Sequence, residues 1–104
     1  MPNIKFCYLY RDASNYKKYG SVVFSNSESV DLIALETFIR ARLIEETWFY
    51  NHQWQVPDLH FGTWDNELDH TWHEYECVEY TDEPSIAGYE LQAFLEIITA
   101  IHNP

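Results

Sequence analysis

The chain has 104 residues, 46% apolar and 17% aromatic, with a formal charge of −11. That length is one domain with one core, and so apolar a composition argues against intrinsic disorder despite the charge. All six Lys and Arg residues fall within the first 42 positions, whereas residues 43–104 hold 13 acidic side chains and no Lys or Arg; that field disfavours direct contact with nucleic acid or an anionic membrane surface.

The segment NIKFCYLY (3–10) alternates. Ile4, Phe6, Tyr8 and Tyr10 share one face, and Lys5, Cys7 and Leu9 share the other, as in a strand. RDASNYKKYG breaks the pattern and reads as a long hairpin loop, with SVVFS returning as a second strand. SNSES offers helix N-caps, and VDLIALETFIRARLIEE follows as a helix burying Val30, Ala34, Leu35, Phe38, Ile39 and the stem of Arg42. TWFYNHQWQV is an aromatic connection over about 47–56.

The second half repeats the order. LHFGTW is a short strand, WDNELDH a loop and TWHEYECVEY a strand. TDEPS starts a closing helix that buries Ala87, Leu91, Phe94, Ile98 and Ile101. The expected fold is therefore α+β: a four-stranded, mainly antiparallel sheet with two helices on one face, in the order β-β-α-β-β-α. One ββα unit covers about 3–46 and a second about 57–102 of a single domain, 1–104. An offset of 56 lays Val22 over Val78, Phe24 over Tyr80 and Leu35 over Leu91, so a ββα pseudo-repeat and a chance match of apolar registers are both open. The second face of the first strand is also partly apolar. That predicts cover by the aromatic connection or by a second subunit, and homodimerisation with it.

The sequence YLYRDASNYK near the start, then VPDLHFGTW and ELDHTWHEYE, resembles a group of small uncharacterised bacterial proteins that share a YLYRDxxNYK opening and a DHxWHE segment. The resemblance covers most of the chain. It implies a bacterial origin and a single domain, and it transfers no activity and no catalytic residue.

Three groups are candidate sites. The stretch ELDHTWHEYECVEYTDE (67–83) holds seven carboxylates, two histidines and a cysteine. Asp69, His70, His73, Glu74, Glu76 and Cys77 offer the imidazole, carboxylate and thiolate ligands a metal would use there, with Asp69, His70, His73 and Glu74 as the specific corner, but residues three apart on a strand face opposite ways. Regular alternation would put Trp72, Glu74, Glu76, Val78 and Tyr80 on one face and His73, Tyr75, Cys77 and Glu79 on the other. The bland alternative is a solvated acidic strand. Arg11, Lys17 and Lys18 beside Tyr16 and Tyr19 form a basic hairpin tip able to pair with the acidic half, or simply a solvated loop. Trp48, Tyr50, Trp54 and Trp72 are interface aromatics or core residues.

The two cysteines are too few for a disulfide framework. MPNIKFCYLY has no secretory pattern, and no apolar run approaches the roughly 20 residues a membrane span needs. The expectation is a cytoplasmic protein with free thiols and no cofactor. Neither cysteine has a basic sequence neighbour to activate it, and glycine-rich phosphate loops and the nucleophile-elbow motif are missing. These observations lean away from an enzyme. They favour a small acidic binding or regulatory protein whose partner is a basic protein or a second copy. A metal-dependent or acid/base enzyme centred on Asp69–Glu74 is the alternative.

Overall fold

A computed structural model describes residues 2–11, 15–57, 59, 72–85 and 89–101. Within it the chain forms strand β1 (Asn3–Arg11), strand β2 (Lys17–Phe24), helix α1 (Leu32–Arg42), strand β3 (Trp48–Tyr50), the single turn α2 (Asn51–Trp54), strand β4 (Trp72–Thr81) and helix α3 (Leu91–Thr99). The four strands make one antiparallel sheet in the order β2-β1-β4-β3. This is the α+β architecture that the alternation and the helical periods predict.

The inner face of the sheet carries the core. Ile4, Phe6, Tyr8 and Tyr10 of β1 lie there with Val22 and Phe24 of β2, as the period-two pattern requires. Phe6 is its hub, with its ring 5.3–6.0 Å from those of Tyr8, Phe49, Trp54, Tyr75 and Phe94. All three helices send buried side chains into this cluster: Leu35 and Ile39 from α1, Trp54 from α2, and Leu91, Phe94 and Ile98 from α3. Ala34, expected in the α1 stripe, is exposed instead. Ala87 lies outside the described residues.

Polar side chains fix the connections. Asp31 caps α1 by accepting from the Ala34 N–H at 3.1 Å. Buried Asn26 accepts from the Val30 N–H at 2.9 Å and so closes the β2–α1 loop on itself. Tyr80 accepts from the Leu32 N–H at 3.1 Å, tying β4 to the start of α1. After α1 the chain turns through Glu45 and Glu46, whose φ angles are 51° and 59°. Two successive left-handed residues make the tight turn that brings Ile44 against Trp48, with N–H···O bonds of 2.8 and 3.0 Å.

The third strand arises where the sequence reads as a connection. TWFYNHQW supplies β3 and α2, and does not lie across the second face as a cover. Its alternation splits the aromatics: Phe49 points into the core, while Trp48 and Tyr50 are half-buried on the other side of the sheet. Of the expected strand LHFGTW only Leu59 is described. It packs over Gly20, where a Cβ would stand 2.7 Å from its side chain. The offset of 56 matches β2, at an edge, with β4, in the centre, and buried Phe24 with Tyr80, which is 47% exposed. The two halves thus occupy unlike places in the sheet.

Candidate functional site: the outer face of the sheet

The face away from the helices is built by the register. Val23 stands opposite Lys5, and Lys5 opposite Glu79; Ser21, Cys7 and Cys77 form the next row; Tyr19, Leu9, Glu74 and Trp48 form the row after it. Beyond them Lys17 faces Arg11, and Tyr50 faces Trp72. Cys7, Leu9 and Val23 are buried here, yet they lie outside the core cluster.

A β-bulge shapes this face. Cys7 pairs with Cys77 but Tyr8 pairs with Tyr75, so Glu76 is an extra residue in β4. The bulge resets the alternation on which the sequence reading relied. Before it, His73 and Tyr75 face the core; after it, Val78 does. Cys77 comes to the outer face directly opposite Cys7, with exposed Glu76 beside it. One ligand atom from each of Cys7, Glu76 and Cys77 lies within 4.8 Å of the other two. Burial pushes the Cys7 thiol up to about 12, helped by Cys77 and the nearby Glu79 and Glu76 carboxylates. Burial also raises Cys77, partly offset by the hydrogen bond it receives from Cys7.

The acidic corner separates. His73 is wholly buried, with its ring 5.2 Å from Tyr10 and 5.9 Å from Tyr8, and its Nε2 accepts from the Leu59 N–H at 3.0 Å. That bond requires Nε2 to be unprotonated and makes this histidine a strut of the core. Glu74 points the opposite way and forms a two-pronged pair with Arg11, each N···O distance 3.1 Å. The grouping of His73 with Glu74 as co-ligands is therefore corrected: adjacent strand residues face opposite sides. Asp69 and His70 lie outside the described residues.

The other sequence candidates divide in the same manner. Arg11 makes the expected contact between the basic hairpin and the acidic half, through Glu74, and also donates to Asn15 at 2.6 Å. Lys17 and Lys18 are exposed at the start of β2, beside Tyr16 and Tyr19. Trp54, grouped by sequence with interface aromatics, is 0% exposed and belongs to the core. Its indole N–H has no acceptor among the described residues. Trp48, Tyr50 and Trp72 do converge. With Ile44 and Glu45 they line an open cleft of about 250 Å³ at the β3 edge.

No protein-family model, no characterised protein and no solved structure matches the chain. Among the described residues, no helix is long and apolar enough to cross a membrane.

Proposed function

We propose that this protein is a small acidic, non-catalytic binding module, and that its outer sheet face receives a basic protein partner. The observation that carries this reading is the cleft at the β3 edge, where Trp48, Tyr50 and Trp72 stand with the Glu45 carboxylate. Aromatic faces with a nearby carboxylate attract the cationic ends of Arg and Lys side chains. Residues 43–104, without a single Lys or Arg, extend that attraction over a wider surface. Among the described residues, Trp48 and Tyr50 lie on a three-residue strand at the edge of the sheet, a place where a partner's backbone can also dock. Two free thiols fit a reducing setting such as a cytoplasm.

The test uses the wild-type chain and Trp72→Ala as baits against extract of the native host, at low and at high salt. Trp72 is 38% exposed, and far-ultraviolet circular dichroism checks that its truncation keeps the fold. A basic protein held by wild type at low salt, released by high salt and weakened about tenfold by Trp72→Ala is the expected result. An empty wild-type bait at low salt, or retention indifferent to Trp72, overturns the reading. A mass that rises with concentration and reverts in Trp72→Ala would replace the basic partner with a second copy.

A further inference from the structure

We infer that Cys7, Cys77 and Glu76 form a binding site for a thiophilic divalent cation of the zinc type. Three features carry it. The register sets the two cysteines directly opposite each other across the central strand pair, 70 positions apart in sequence. Such pairs bring side chains into contact. The bulge then does what a regular strand cannot, turning two successive residues, Glu76 and Cys77, toward the same point. The three ligand atoms lie within 4.8 Å of one another. A tetrahedral zinc ion with Zn–S bonds of about 2.3 Å holds its sulfurs roughly 3.8 Å apart, so a small adjustment closes the set.

The donor chemistry selects the ion. Two sulfurs favour zinc, cadmium and copper(I) over magnesium or calcium. A carboxylate as third ligand fits zinc, and three protein ligands leave a fourth position for water. Loading displaces the two thiol protons to solvent and leaves both sulfurs as thiolates. Access is from the exposed Glu76 side, since Cys7 is buried and Cys77 half-buried. A disulfide would need the same cysteine pair but would give Glu76 no role.

The experiment titrates cadmium, and separately cobalt(II), into the reduced full chain. It follows the thiolate-to-metal charge-transfer absorption, which carboxylates and histidines elsewhere on the chain do not produce. One equivalent should saturate the band. Cys77→Ser should abolish it, and Glu76→Gln should weaken zinc competition at least about tenfold. Glu76 is exposed, so that variant keeps its fold, and far-ultraviolet circular dichroism checks the cysteine variant. A band that survives Cys77→Ser, no band in the wild type, or unchanged affinity in Glu76→Gln overturns the site. Protein isolated without reductant that shows no titratable thiol also overturns it, in favour of a disulfide.

Discussion

The two faces of the sheet use the same strands to opposite ends. Inside, alternate residues of β1 meet rings from β3, β4, α2 and α3 around Phe6. Outside, the intervening residues meet charge and sulfur: Lys5 faces Glu79, Cys7 faces Cys77 and Leu9 faces Glu74. The inner face holds the fold together through close packing of apolar surface. Among the described residues the outer face buries little more than Cys7, Leu9 and Val23, and some of its charged groups pair with acids of the same chain, Lys5 with Glu83 and Arg11 with Glu74. A central strand can thus build the core with one set of positions and carry charge and sulfur to the opposite face with the other.

Truncation tests that division most directly. Phe6→Ala removes the hub of the ring cluster and should cost about 3–5 kcal/mol, a large part of a total near 5–15 kcal/mol. Leu9→Ala, its neighbour but two on the opposite face, should cost about 2 kcal/mol, because Leu9 lies outside the core cluster and its surroundings can collapse or hydrate. Urea unfolding of both variants decides the matter. Equal losses would mean that the outer face is covered in solution as thoroughly as the inner one.

The two faces also differed in how far the sequence disclosed them. The inner positions of β1 follow from alternation alone, and Leu35, Ile39, Phe94 and Ile98 follow from helical spacing. β3 did not, because a three-residue strand inside an aromatic run has no period of its own and exists only through pairing with β4. The bulge at Glu76 carries no glycine to mark it, yet it decides which of His73, Tyr75, Cys77 and Val78 face the core. The cysteine pair was hidden for the same reason: their proximity is a matter of register between distant strands, and register is set by the whole sheet. The Arg11–Glu74 pair was legible only as a general attraction between a basic hairpin and an acidic half.

Tyr75 offers a smaller test, confined to the inner face. Its phenol is raised from its ordinary value of 10.0, first by burial and then by the Glu36 carboxylate. The folded state therefore keeps this proton at pH values where the unfolded chain has lost it. The tyrosine's contribution to stability is level below about pH 10 and is lost as pH rises beyond it. Tyr75→Phe keeps the ring and loses only a long 3.5 Å contact to Glu36, so it should change stability little at neutral pH and should flatten the alkaline fall. Urea midpoints measured across the alkaline range check this. A fall is expected to remain in the variant, because the two thiols and Lys5, through its bond to Glu83, are raised in the same direction. A fall as steep in Tyr75→Phe as in wild type would remove the tyrosine from the account.

The smallest effect is expected from the two-pronged Arg11–Glu74 pair of the outer face. Its two parallel N···O contacts give good geometry, but the Arg11 side chain is 36% exposed against 18% for Glu74, so solvent screens it. A double-mutant cycle of Arg11→Met and Glu74→Gln should return about 0.5–1 kcal/mol of coupling. That coupling should shrink as salt is added. Binding should respond differently. With Glu74 neutralised the acidic surface weakens, yet Arg11 is left without its carboxylate and lies close to the exposed Lys17. Glu74→Gln should therefore repel a basic partner more than its small stability cost implies, whereas Arg11→Met should leave that partner held as well or better. If both variants change binding only in proportion to stability, the pair is a strut of the sheet edge and the outer face has no electrostatic role at that corner.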